Sequence, residues 1–142
     1  VTAAAAVATA FTWLWLGMVL AISFLEAPLK FRAPGVDLRT GLAIGRLVFR
    51  ALNAVEVVAL AGVVAALVAA SPAPRGTPFA AAAVGLALAA QLLAVRPALT
   101  RRSDAVLAGH EGPRSHAHLW YVALELAKVL GLATLGVLLL RA

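Results

Sequence analysis

Cysteine is absent from the 142 residues, and charge is scarce, with 13% of the chain Asp, Glu, Lys or Arg. Without a thiol there is no disulfide framework, no thiolate metal site and no cysteine nucleophile. Also missing are a Gly-rich phosphate loop, an ordered Ser/His/Asp set and a paired-carboxylate motif. A soluble domain usually carries about 25% charged and about 45–50% apolar residues. This chain is 63% hydrophobic, with a mean hydropathy of +0.99. So much Ala, Val and Leu exceeds what one soluble core absorbs, and the solvent it requires is lipid. Acidic residues number 6 against 12 basic ones, a formal charge of +6. The basic residues flank apolar runs, which points to lipid headgroups and membrane topology rather than to nucleic acid.

What is present in abundance is long apolar runs. Their order predicts an all-α, integral membrane four-helix bundle with antiparallel up-down topology, in one domain over residues 1–142. Spans are expected at about 4–28, 46–70, 78–98 and 118–140, each roughly 20 residues and so able to cross about 30 Å of hydrocarbon at 1.5 Å per residue. The first apolar stretch lacks a basic n-region and exceeds a usual h-region, so it reads as a span rather than a signal peptide. Pro28 and Pro34-Gly35 are expected to end it, and Asp37 to cap the next helix. Ser71-Pro72-Ala73-Pro74-Arg75-Gly76-Thr77-Pro78 is expected to be a short turn that forces an antiparallel neighbour, and Pro97 to end the third span, leaving 99–117 as a polar connection. Gly41 and Gly45 form a GxxxG that permits a close helix crossing. The Ala- and Gly-rich third span is expected to be well packed for the same reason. Trp13 and Trp15 cannot share a helix face, so one of them is expected to meet lipid.

Basic residues set the orientation. Lys30, Arg32, Arg39, Arg46 and Arg50 surround the first connection, and Arg96, Arg101, Arg102 and Arg114 the third, whereas the opposite side has Arg75 and Arg141. The positive-inside rule then places connections 30–45 and 99–117 in the cytoplasm and both termini outside. The expected location is a cell membrane, the inner membrane of a bacterium, crossed several times.

The few polar residues within the spans recur at steps of three or four. Ser23, Glu26 and Lys30 do so on the first helix, Arg46, Arg50, Asn53 and Glu56 on the second, and His118, Tyr121, Glu125 and Lys128 on the fourth. Each set therefore lies along one helix face. The third helix adds Gln91 and Arg96. An unpaired charge at this depth costs at least about 2.5–3.5 kcal/mol, so these groups should face the bundle and pair. Glu125 and Lys128 can pair within one helix, Glu56 can share Lys128 or take a proton, and Asn53 and Gln91 can complete the hydrogen bonds. The expected buried cluster or ligand site is thus Glu26, Arg46, Arg50, Asn53, Glu56, Gln91, Tyr121, Glu125 and Lys128. Two readings stay open: a ligand, proton or substrate site, or a polar network that fixes helix register. The outer segments 62–70, 79–88 and 130–140 carry no ionisable group, so the polar path stops partway, which argues against a channel. His110, His116 and His118 lack companion ligands at metal-site spacing, and no metal is expected.

Arg50-Ala51-Leu52-Asn53-Ala54-Val55-Glu56 resembles part of the second-helix pattern of membrane-associated glutathione- and eicosanoid-metabolism proteins. That family has four helices and carries Arg-Ala followed by Asn-x-x-Glu after a basic cytoplasmic connection. The resemblance implies glutathione as a cofactor, held by Arg50, Asn53 and Glu56, although the family's Asn usually lies one residue further from the Arg. Trp15-Leu16-Gly17-Met18, Glu26 to Arg32 and Arg46 to Asn53 together resemble small uncharacterised bacterial four-helix membrane proteins, which implies a fold and no activity. The leading expectation is a non-catalytic bundle, an accessory or structural subunit of a larger membrane complex or a homo-oligomer, without a cofactor. The alternatives are a glutathione-dependent membrane enzyme and a binding protein for a small amphiphile.

Overall fold

A computed structural model describes residues 2–109 and 116–142, and the described residues are helical with no strand. Four helices result: α1 Ala3–Lys30, α2 Leu38–Ala69, α3 Thr77–Leu107 and α4 His116–Leu140. Each is long and apolar enough to cross a bilayer. At 1.5 Å per residue the shortest, 25 residues, spans about 37 Å, more than the roughly 30 Å of hydrocarbon. The surplus lets polar helix ends reach past the hydrocarbon. There Arg46 meets Asp104 at 2.7 Å and Arg39 donates to the Leu107 carbonyl at 2.7 Å, tying the start of α2 to the end of α3.

The helix starts follow capping chemistry. Thr2 accepts the Ala5 N–H through its hydroxyl at 3.0 Å, and the Asp37 carboxylate accepts the Thr40 N–H at 2.8 Å. Each thereby satisfies one of the donors a first turn leaves open. Before α3, Gly76 takes a φ of 83°, a left-handed conformation that glycine adopts at little cost, and Pro78 follows in the first turn.

Two helix ends differ from expectation. Pro28 and Pro97 do not stop their helices; α1 runs on to Lys30 and α3 to Leu107, so 99–107 is helical rather than a polar connection. Residues 38–45 are likewise the first turns of α2. In α1 and α3 alike a π-helical stretch comes first, Leu20–Glu26 before Pro28 and Gln91–Val95 before Pro97. Ala27 donates to the Ile22 carbonyl and Arg96 to the Gln91 carbonyl, each five residues back. The wider turn moves upstream carbonyls away from the proline ring and leaves no ordinary helical bond for its missing N–H to break.

Ala8, Trp15, Val19, Val63, Val84, Leu88, Leu132 and Leu135 form the centre of the core. Glycines admit large neighbours: Phe11 lies over Gly62, Trp13 over Gly136 and Val84 over Gly131. The GxxxG of α2 serves the same purpose, with Phe31 against Gly41 and Lys30 against Gly45. Trp15 is 1% exposed and Trp13 38%, so the two indoles do part company. Phe79, Leu86 and Leu93 of α3 and Leu47 and Val68 of α2 lie on the outer surface. Exposed apolar side chains in such number are costly in water and indifferent in lipid.

The third helix is not the best packed. The buried share of its most apolar window is 28%, the lowest of the four. It lies mainly against α4, while α1 packs on both α2 and α4; α2 and α3 meet only briefly. The small side chains of α3 therefore leave a groove on the α2 side. Its walls are Leu60, Val64, Leu67 and Val68 opposite Ala81 and Ala82, and its volume is about 560 Å³.

A Cβ at Gly131 would lie 2.6 Å from the Val84 side chain, a β-branched residue 1% exposed, whereas one at Gly17 would meet nothing within 4 Å. Gly131→Ala should therefore lose about 1–3 kcal/mol to overpacking, while Gly17→Ala should be neutral or slightly stabilising. Detergent unfolding followed by circular dichroism separates the two, and equal midpoints would contradict the packing described. The Thr40 N–H holds the Asp37 carboxyl below its ordinary pKa of 3.8. Because the folded value is the lower, the stabilisation is present above the unfolded value and is lost as pH falls through the folded one. Hydrogen-exchange protection at Thr40 should drop in acid for the natural chain and not for Asp37→Asn.

Candidate functional site

The helix geometry gathers Glu56 of α2, Gln91 of α3 and Glu125 and Lys128 of α4 into one buried cluster, with none more than 2% exposed. Glu125 and Lys128 are three residues apart on α4 and so share a face. Lys128 Nζ lies 2.6 Å from Glu125 Oε1 and also donates to Glu56 Oε2, joining α4 to α2. Gln91 donates through Nε2 to Glu125 Oε1 at 2.8 Å and to the Tyr121 carbonyl at 3.3 Å, joining α3 to α4. Trp15 donates its indole N–H to Glu56 Oε2 at 2.9 Å and brings in α1. One hydrogen-bonded network thus touches all four helices.

The carboxylates are alike in how their oxygens are used. Glu56 Oε2 accepts from Trp15 and Lys128, and Glu125 Oε1 accepts from Gln91 and Lys128. The other oxygen of each, Glu56 Oε1 and Glu125 Oε2, is buried without a hydrogen-bond partner. So are Gln91 Oε1, Asn53 Oδ1 and the Tyr121 hydroxyl. Asn53 is 3% exposed and one turn from Glu56; the Tyr121 ring meets Phe49 edge-on, with centroids 5.8 Å apart. The site is therefore rich in acceptors and short of donors.

Other residues assigned to the cluster from sequence lie elsewhere. Arg46 and Arg50 are exposed, and Arg46 is engaged with Asp104. Glu26 is only partly buried and faces Lys30 at 3.8 Å along its own helix. The reason is geometric: steps of three and four slowly wind around a helix, and the first turns of α2 stand beyond the level where the four helices meet. Arg96 is half-buried. His116 and His118 begin α4, and His110 and Arg114 lie outside the described residues.

Trp15 is the member that sequence reasoning missed. Its signal was present: the stripe Ser23–Glu26–Lys30, extended back by steps of four, passes through Val19 to Trp15. A buried indole needs an acceptor for its N–H, and a carboxylate deep in the bundle is one.

Compared with protein-family models, with curated proteins and with solved structures, the chain finds no match. The resemblances to bacterial four-helix membrane proteins and to the glutathione and eicosanoid family thus gain no support from family matching.

Replacing a buried ion pair with apolar groups is often harmless, but removing one partner strands a charge. Lys128→Met leaves two carboxylates without their cation and should cost about 3–5 kcal/mol. Trp15→Phe removes one donor from Glu56 and should cost about 1–3 kcal/mol. Arg46→Ala breaks an exposed pair and should cost under about 1 kcal/mol. Unfolding midpoints in mixed micelles test this ranking; an Arg46 effect equal to that of Lys128 would refute it.

Proposed function

We propose that this chain is an accessory or structural subunit of a membrane assembly, built with other membrane proteins or with further copies of itself. The observation that carries this reading is the groove between α2 and α3. Helices adjacent in sequence usually pack side by side, yet these two meet only briefly, while each is well seated on another helix. Small residues line the α3 side, and small residues are what let a helix from another subunit approach closely in lipid, where no hydrophobic driving force acts. In this reading the buried network fixes the register of the bundle and the outer groove does the work. The termini would lie outside, and the basic regions about 30–45 and 99–117 in the cytoplasm of a bacterial cell, at its inner membrane.

The other two readings draw less support. A glutathione site would need Arg50 together with Asn53 and Glu56, but Arg50 is exposed and Glu56 is already bonded to Trp15 and Lys128. A carrier of small amphiphiles would need an open polar interior, whereas direct ion pairs fill this one.

Native mass spectrometry from gentle detergent should find the chain with a companion subunit or as an oligomer. Ala82 is exposed in the groove, so Ala82→Phe should reduce the assembly at least tenfold with helical content unchanged. A monomeric natural chain that captures no membrane partner in a mild-detergent pull-down would overturn the proposal.

A further inference from the structure

Two carboxylates and one ammonium cannot balance. With Glu56 and Glu125 ionised around Lys128, the cluster carries a net charge of −1 in a place with 0–2% exposure. Lys128 lies within hydrogen-bond reach of a carboxylate oxygen on either side, so its own charge is the best stabilised of the three. A residual negative charge surrounded by apolar side chains and lipid is expensive. The hydrogen-bond pattern has the same deficit. Five buried oxygens, Glu56 Oε1, Glu125 Oε2, Gln91 Oε1, Asn53 Oδ1 and the Tyr121 hydroxyl, are without partners. Of these only the hydroxyl can donate.

We infer that the Glu56–Lys128–Glu125 cluster is a binding site for a single proton, which it holds and exchanges as a unit. The proton adds to a free lone pair on Glu56 Oε1 or Glu125 Oε2. One O–H bond forms on the carboxylate, the O–H bond of the hydronium ion that delivers the proton breaks and leaves water, and the cluster passes from −1 to neutral. Gln91 Oε1 belongs to the amide already bonded to Glu125, and Asn53 lies one turn from Glu56. Both carboxylates share the Lys128 ammonium, so the proton belongs to the cluster rather than to either residue.

Other charged groups do not supply the missing positive charge. Arg96 on α3 is half-buried and makes no ion pair with Glu56 or Glu125. On α1, Trp15 offers a neutral donor, and Lys30 is paired with Glu26. Metal chemistry is a different solution to the same deficit: a sodium ion on the free oxygens would also neutralise the cluster. Lys128 occupies the position between the carboxylates that such an ion would take, which favours the proton.

The test is infrared spectroscopy of the purified chain in lipid nanodiscs at neutral pH, in H2O and D2O. The Glu56→Gln/Glu125→Gln double variant provides the baseline. The natural chain should show the carbonyl stretch of one protonated carboxylic acid, and D2O should shift it. Either single variant, Glu56→Gln or Glu125→Gln, should lose that band entirely, because one carboxylate with Lys128 is already neutral. A band absent from the natural chain would overturn the inference, as would one persisting in either single variant. Stabilisation by sodium chloride over choline chloride, with no acid band, would replace the proton by a cation. The natural chain's own D2O shift is readable even if a variant fails to fold. The result is independent of subunit assembly, so the groove and the proton site stand or fall separately.

Discussion

A charge placed inside hydrocarbon must be answered by another charge, and Lys128 is where this bundle meets that requirement. Its ammonium draws Glu125 from its own helix and Glu56 from α2, and the carboxylates in turn recruit Gln91 from α3 and Trp15 from α1. Apolar packing between helices in lipid is weakly directional, since lipid tails are as apolar as leucine. A rotation of any helix would lift large side chains off the glycines they cover. The same rotation would break a bond to a buried charge. The polar network therefore acts with the seats over glycine to make one helical arrangement preferable to its rotated alternatives.

The wide turns in α1 and α3 belong to the same arrangement. Gln91 is both the first residue of the π-helical stretch in α3 and the donor to Glu125. Widening a turn rotates the downstream half of a helix relative to the upstream half. It thus allows one helix to place Gln91 toward α4 while carrying Pro97 and its polar end onward to meet α2 through Asp104. In α1 the stretch Leu20–Glu26 begins after the tightly buried Trp15 and Val19 and ends at the partly exposed Glu26.

Interior and exterior divide the work. The interior is filled: large side chains sit over glycines, and ion pairs hold one oxygen of each buried carboxylate while the other stays without a partner. The exterior keeps a groove between α2 and α3 that no described part of the chain occupies. Small residues on α4 are covered, as Gly131 and Gly136 are by Val84 and Trp13, whereas Ala82 on α3 is not. Small residues permit close approach but do not choose the partner. The proposed role rests on that uncovered surface, and the proposed proton site rests on the incompletely neutralised interior.

The sequence by itself determined the solvent and the fold class, because hydropathy and helix length are summed along the chain and need no knowledge of contacts. It also determined that Glu125 and Lys128 share a face and can pair, a relation set by helical pitch, and that Glu56 could reach the same ammonium. It did not determine that Pro28 and Pro97 lie within helices, because local propensity counts the lost N–H and not the widened turn that accommodates it. Nor did it separate Arg46 and Arg50 from Asn53 and Glu56: a stripe on one helix does not show how far along that stripe the neighbours extend. Only the tertiary structure decided which stripes meet at one level, which brought Trp15 onto Glu56, left Arg50 outside and opened the seam beside α3. Those outcomes depend on helix crossing and relative height, which are properties of pairs of helices and are not written in the periodicity of any one of them.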